Sequence, residues 1–379
     1  MRLLPLLVFW CLWFLNFSTR AAFAPILPLI EDYLSLSHGK AGGLFFSLSI
    51  GYGLSVLVVG RFAHILGYKR LVVAGFIGTC LVFVGIQWAG DYLTFHILFF
   101  LLGIATGPYL PSIIPIITET YDYRHWGKAI GFHDSAASLS FFAIPILVAF
   151  GLRFLSWQQL LLILGIASLL FPIYFWKVSV EPKKEMPWSE GHYVDLFKKK
   201  KIWIMGLLWV FSAGSCLGIY SVLPLYLIKE RGIELHFANT LFGVSRFAGV
   251  FVSILIGFLT DRYGYRKMLT ASLLATGLST ICLSAASTLP LILITLLLQA
   301  TFSLGFFPVG LVAISKFTSL SERSMATGVI LSIGVIFGMG GTPFVLGTIA
   351  DHFSFKVGIL WLGVLTTLSS FAVRFLEEK

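Results

Sequence analysis

The chain has 379 residues, of which 58% are hydrophobic and only 12% are charged, and its mean hydropathy is +0.92. A soluble domain could not cover such a composition with polar surface. The net charge of +10 does not indicate a nucleic-acid partner, because the basic residues lie between apolar runs and form no separate domain.

Apolar runs of about 20 residues, long enough to cross about 30 Å of hydrocarbon, recur along the chain. The sequence predicts twelve spans, at about 3–30, 41–62, 70–90, 93–119, 127–151, 156–178, 202–228, 238–260, 267–287, 289–315, 324–350 and 355–376. The first is predicted to be a span and not a cleaved secretory signal, since Arg20 would lie between its apolar core and the cleavage site.

The two halves repeat one another at an offset of 197 residues, so that residues 257–267 (G-F-L-T-D-R-Y-G-Y-R-K) correspond to residues 60–70 (G-R-F-A-H-I-L-G-Y-K-R). A fixed offset indicates a duplicated unit. We therefore expect an all-α membrane protein with a six-helix bundle at 1–178, a cytoplasmic linker at 179–201 and a second six-helix bundle at 202–379.

The Lys and Arg residues predict the orientation. With both termini in the cytoplasm, cytoplasmic loops and tails hold 20 of the 27 Lys and Arg residues and outer loops hold five. The positive-inside rule favours this arrangement, and a bacterial inner membrane is the expected location.

Arg20 and Arg246 are the two basic residues left inside spans, one in each half. They lie roughly 14 and 12 Å from the outer end of spans one and eight, at helical rise. Because a guanidinium in hydrocarbon is costly and no acid lies at matching depth, both are predicted to face a central cavity and bind an anion, plausibly a carboxylate. The alternatives are a structural ion pair and snorkelling to the outer surface.

Other polar residues in the spans are candidate substrate contacts: Asn16, Tyr52, Tyr220 and Gln299. Interhelical hydrogen bonds or simple packing are the alternatives for all four. His133 and Asp134 are candidates for proton coupling, because an intramembrane carboxylate marks a proton or cation site by default. The alternative is an ion pair of Asp134 with Lys128 or Arg124, or a charge exposed to cytoplasmic water.

No enzyme, cofactor or metal site is expected. The four cysteines fall inside spans without metal-ligand spacing, and the sequence has no phosphate-binding Gly-rich loop with Lys and Ser or Thr. A drug or metabolite efflux antiporter and a non-transporting membrane sensor remain the competing hypotheses.

The duplicated loop, the twelve spans and the basic linker resemble the major facilitator superfamily over essentially the whole chain. The later loop copy matches the superfamily motif at Gly257, Asp261, Arg262, Gly264, Arg266 and Lys267. The resemblance implies that its Asp faces the positive start of span five and helps to latch the halves on the cytoplasmic side. The earlier copy keeps Gly60 and Gly67 but has His64 in place of the Asp, which predicts a weaker latch and a larger inward-open population.

The resemblance also refines the function. Similar transporters of organic phosphates, sugar acids and glutamate-type anions carry an Arg in span one, and those of nitrate, oxalate and monocarboxylates carry one in span eight. The glycine–proline signature of drug–proton antiporters is missing from span five. We expect a monomeric secondary transporter in the lipid bilayer that moves a small organic anion by alternating access, coupled to protons.

Overall fold

The structure is a computed structural model that describes residues 3–182, 196–247, 249–318 and 320–376. Every regular element in these residues is helical, as the sequence predicts. Eleven helical stretches are long and apolar enough to cross a membrane, namely Leu3–Leu34, His38–Leu66, Tyr68–Ile86, Tyr92–Thr120, Trp126–Gly151, Trp157–Val178, Lys200–Glu230, Tyr265–Ala285, Leu289–Phe317, Met325–His352 and Phe355–Phe375.

Span eight differs from the predicted continuous helix. Helices Leu235–Val244 and Gly249–Tyr263 are separated by a short turn, so neither reaches the length of a span by itself. In the turn, the backbone N–H of Arg246 donates to the carbonyl of Gly243 at 3.0 Å, an i to i−3 bond tighter than that of an α-helix. We number the spans one to twelve in chain order and count this broken pair as span eight.

Several other spans are interrupted near their middle. Span one consists of helices Leu3–Ala21 and Phe23–Leu34, span four of Tyr92–Thr106 and Tyr109–Thr120, span six of Trp157–Ala167 and Leu170–Val178, and span ten of Leu289–Ser303 and Phe306–Phe317. Spans seven and eleven contain π-helical turns at Gly214–Gly218, Tyr226–Glu230 and Gly334–Gly340. Such turns are frequent at functional sites, because they change which side chains face a helix's neighbours.

The spans alternate in direction and define two sides. The terminal side contains the start of span one at Leu3 and the end of span two at Leu66, and the distal side contains Leu34 and His38. On the distal side the halves pack closely, since a Cβ on Gly42 would clash with the carbonyl of Pro343 and one on Gly347 with the carbonyl of His38. Small residues permit this close approach of spans two and eleven.

The buried apolar residues show the same asymmetry. One cluster on the distal side joins both halves and includes Phe23, Phe99, Tyr226 and Phe355. Two further clusters on the terminal side are built around residues of one half each, between Leu6 and Phe175 and between Leu196 and Leu376. The structure is therefore closed on the distal side, while its two halves have separate cores on the terminal side.

Candidate functional site

Arg20 lies in span one beneath two aromatic rings. Its guanidinium carbon is 4.8 Å from the ring centroid of Phe17 and 4.6 Å from that of Tyr52. Its Nη2 donates weakly to the side-chain oxygen of Asn16 at 3.5 Å, and Asn16 in turn donates to the carbonyl of Thr106 at 3.2 Å. Asn16 thus orients the arginine, while the buried Nε of Arg20 has no partner among the described residues.

Arg246 is more deeply buried, with only 3% of its surface exposed. Its guanidinium carbon lies 5.2 Å from the ring centroid of Tyr220 and 5.7 Å from that of Phe242. Neither Nε nor Nη2 has a hydrogen-bond partner in the described part of the chain, and no carboxylate there lies within ion-pair distance. Within the described residues, therefore, no ion pair compensates the buried charge of Arg246.

A small cavity of about 30 Å³ is lined by Arg20 and by Tyr220, whose ring contacts Arg246, but Arg246 itself does not line the cavity. Arg20, Tyr220 and Ser221 supply its polar lining. The apolar lining comes from both halves, with Phe17 and Phe141 from the first and Leu217 and Met339 from the second. The rings of Phe141 and Tyr220 meet across the halves at 4.6 Å. A volume of this size holds about one or two water molecules, so a larger ligand requires the halves to separate.

The remaining predicted substrate contacts differ in their freedom to bind a ligand. The hydroxyl of Tyr220 is buried and has no partner among the described residues, so it is free to donate. Gln299 is fully buried in span ten, where its Nε2 donates to the carbonyl of Ser215 at 2.5 Å and its Oε1 has no described partner. Tyr52 contacts Arg20 through its ring. Asn16 and Gln299 thus both make the interhelical bonds that were the alternative interpretation.

His133 and Asp134 point to different environments from span five. His133 is fully buried, stacks on Trp13 and contacts the hydroxyl of Tyr109 through Nε2 at 3.2 Å. Asp134 is exposed and accepts a hydrogen bond from the indole Nε1 of Trp13 at 3.4 Å. No ion pair of Asp134 with Lys128 or Arg124 forms within the residues described.

The exposed face of Asp134 continues towards the central cavity. Seven residues further along the same helix, and so on nearly the same face, Phe141 lines that cavity. One and two turns towards the terminal side, Gly131 and Gly127 have open space where a Cβ would stand. Asp134 therefore lies on an exposed face of span five, between the terminal side and the arginine site.

The duplicated loop motif lies at the terminal side in both halves. Gly67 and Gly264 follow spans two and eight with φ of 89° and 85°, a conformation that favours glycine, as the repeated Gly predicts. Gly60 and Gly257 lie within the helices of spans two and eight, and His64, Asp261 and Arg262 are exposed. Arg266 donates through Nη2 to the carbonyl of Arg374 at 3.1 Å. Among the described residues, no hydrogen bond or ion pair joins the Asp261 side chain to span five.

Sequence analysis missed a polar network that joins the halves on the distal side. The carboxylate of Asp351 accepts from the backbone N–H groups of His38 and Gly39, at 2.8 and 2.9 Å, and so caps the start of span two from the other half. Lys229 forms an ion pair with Asp32 and lies 4.0 Å from Glu31. These residues stand at helix ends, where sequence alone indicates a charge but not its partner.

Comparisons with known proteins agree with this architecture. The sequence model of the Major Facilitator Superfamily matches residues 9–255 and 218–379. The chain belongs to this superfamily. It is 25% identical to the uncharacterised MFS-type transporter YuxJ of Bacillus subtilis, over 90% of this chain and 91% of that protein. It is 24% identical to the hexuronate transporter of Bacillus subtilis, over 67% of this chain and 63% of that protein.

Among solved structures, the fold is similar to a bacterial homologue of the human lysosomal transporter Spinster in an inward-facing, unoccupied conformation. The TM-score is 0.82 at 14% sequence identity, and the match covers 98% of this chain and 96% of the other. The superfamily member described here is thus a multi-pass membrane protein and a secondary transporter, and its relatives are transporters and not enzymes. Within the described residues, no group of three His, Cys, Asp or Glu side chains could hold a metal ion.

Proposed function

We propose that this transporter moves a small organic anion of the carboxylate type by alternating access. The observation that carries the proposal is that Arg20 lines a cavity between the halves together with Tyr220, whose ring contacts the buried Arg246, and that both arginines have guanidinium nitrogens without a described partner. A carboxylate matches the planar donor fork of Arg, and an anion that contacts both arginines would bridge the halves and favour closure around it.

The proposal includes a topology. Twelve spans place both termini in the cytoplasm, with bundles at 1–178 and 202–379 joined by the linker 179–201, and the protein works as a monomer in a bacterial inner membrane. Residues 183–195 of that linker lie outside the described part of the chain. The terminal side is then the cytoplasmic side, and the distal contacts correspond to an inward-facing conformation.

We further propose that protons drive accumulation through Asp134. Asp134 is an exposed residue, has no described basic partner and lies on the same helix face as the cavity-lining Phe141. A group in this position can exchange protons with the cytoplasm and respond to the charge of the site. The buried His133 holds Trp13, which donates to Asp134, and so supports the carboxylate's position.

A thermal-shift screen of the purified protein in detergent tests the substrate class. The panel contains monocarboxylates, dicarboxylates, sugar acids, organic phosphates, nitrate and lipophilic cations. Stabilisation by one anion class in the unmodified protein, weakened about 10- to 100-fold in Arg246→Gln, supports the proposal, since a hydrogen bond to a charged group contributes about 1.5–3 kcal/mol.

Arg231→Gln is the matched control. The guanidinium carbon of Arg231 also lies 5.2 Å from a tyrosine ring, that of Tyr226, but its Nε and Nη2 already donate to Tyr226 and the carbonyl of Ala286.

The rival hypothesis is a drug or metabolite exporter, which the apolar cavity lining favours. Stabilisation by lipophilic cations, or equal stabilisation of the unmodified protein and Arg246→Gln by anions, would make the arginines structural and favour the exporter hypothesis.

A further inference from the structure

A groove of about 740 Å³ opens on the terminal side, between the start of span nine and the end of span twelve. Its lining combines the cationic side chains of Arg266, Lys267 and Arg374 with the apolar side chains of Leu274, Phe371 and Val373. Phe371 is 61% exposed, as is expected of an aromatic ring at a membrane interface. The groove is separate from the central cavity and plays no part in the proposed transport site.

The positive charge of this groove is not compensated within the described residues. None of Arg266, Lys267 and Arg374 forms an ion pair with a described carboxylate. The one hydrogen bond that links them runs from Arg266 Nη2 to the backbone carbonyl of Arg374, at 3.1 Å, and leaves the charge of both groups in place. Three cations in one groove attract an anion.

The first half of the chain shows which kind of group occupies the equivalent position. At the offset of 197 residues, Lys69 corresponds to Arg266, and its Nζ likewise donates to carbonyls at the end of span six, those of Trp176 and Ser179, at 2.8 and 3.0 Å. There the carboxylate of Glu181 accepts from the backbone N–H groups of Tyr68 and Lys69, at 2.6 and 3.1 Å. The first copy thus contains a built-in anion at this place.

We propose that the groove binds an anionic phospholipid of the leaflet on the terminal side, which we assign to the cytoplasm. The phosphate lies among Arg266, Lys267 and Arg374, and an acyl chain covers Leu274 and Phe371. Basic pockets between spans on the cytoplasmic side are suited to acidic headgroups, and charge-assisted bonds to phosphate are strong. A soluble anion would leave the apolar part of the groove uncovered.

Native mass spectrometry of the full-length protein tests this proposal, with phosphatidylglycerol and phosphatidylcholine as probes. The triple variant Arg266→Gln, Lys267→Gln, Arg374→Gln removes the groove's charge. We expect it to retain phosphatidylglycerol at least about tenfold less than the unmodified protein, because each Lys or Arg near an anionic surface contributes roughly fivefold. Retention of phosphatidylcholine should not change.

The control is the triple variant Arg61→Gln, Arg70→Gln, Lys177→Gln, which removes the same charge from exposed positions of the first half. Equal retention of phosphatidylglycerol by both triple variants overturns the proposal. A third variant, Glu377→Gln with Glu378→Gln, tests whether carboxylates of the chain itself occupy the groove. Glu378 follows Glu181 by 197 residues and lies outside the described part of the chain. If only this variant retains the lipid, the terminus fills the groove and the proposal is wrong.

Discussion

The guanidinium carbon of Arg246 lies 5.2 Å from the ring centroid of Tyr220, and within the described chain neither the Tyr220 hydroxyl nor two of the three Arg246 nitrogens has a hydrogen-bond partner. Burying polar groups without partners costs free energy that packing alone does not recover. A ligand that accepts from both groups would remove this cost.

Tyr220→Phe is expected to weaken anion binding about tenfold while it leaves the ligand-free protein as stable as before, or slightly more stable. The substitution removes a buried hydroxyl that has no described partner, so nothing is lost in the free state. Melting temperatures with and without the stabilising anion measure both effects.

The matched variant is Tyr226→Phe. It removes a hydroxyl that accepts a hydrogen bond from Arg231 Nε at 2.7 Å. It should lower the stability of the free protein and leave anion affinity unchanged. A Tyr220→Phe protein that is destabilised without ligand, with unchanged affinity, would show that the hydroxyl has a structural role instead.

Asp134→Asn is expected to abolish proton-driven accumulation but to keep counterflow exchange, because exchange needs the substrate site and not the titratable carboxylate. The amide is close in size and can still accept from Trp13, which preserves the local packing. Uptake into proteoliposomes, with and without a pH gradient, separates the two activities. Asp122→Asn, at an exposed residue between spans four and five, is the control, and loss of both activities or of neither in Asp134→Asn counts against the coupling role.

Asp351→Asn is expected to raise the distal-open population roughly five- to tenfold, since a carboxylate at a helix start contributes up to about 2 kcal/mol. Asp351 bonds the start of span two from the other half, so its effect depends on the conformation. Spin-label distances between Gly90 and Lys356, both exposed on the distal side, report the population in a cysteine-free background.

Glu230→Gln is the control for the distal contact. Its carboxylate bonds the backbone N–H groups of Phe355 and Lys356, at 2.5 and 3.2 Å, but within one half. It should lower stability without a change in the distance distribution. If both variants shift the distribution alike, general loosening explains the result and the Asp351 contact is not a latch.

His64→Asp is expected to reduce the inward-open population, because an anion at this position can interact with the positive start of span eleven when the terminal side closes. His64 is exposed on the terminal side of this structure. Distances between labels at Asp122 and Lys316 measure the opening on the terminal side, and His64→Asn, which adds no charge, is the comparison. An unchanged distribution in His64→Asp would refute the weakened-latch hypothesis.

Sequence patterns predicted the helical class and most span positions from local apolar length and the 197-residue repeat, and the superfamily from the resemblance of the loop motif at residues 257–267. The interruption of span eight escaped prediction, since residues 238–260 are mostly apolar, contain no charged residue other than Arg246 and contain no proline. Gln299 shows the limit for single residues, because its sequence position could not show that Nε2 bonds the carbonyl of Ser215.

By itself the sequence determined that the chain crosses a membrane repeatedly as two related halves and that two arginines lie inside spans without a carboxylate at matching depth. Only the tertiary structure decided that Arg246 packs on Tyr220, which lines the same cavity as Arg20, that Asn16 orients Arg20, and that Asp351 joins the halves on the distal side. The physical reason is that hydropathy and charge are summed along the chain, whereas hydrogen bonds, ion pairs and cavities depend on how side chains are placed in three dimensions.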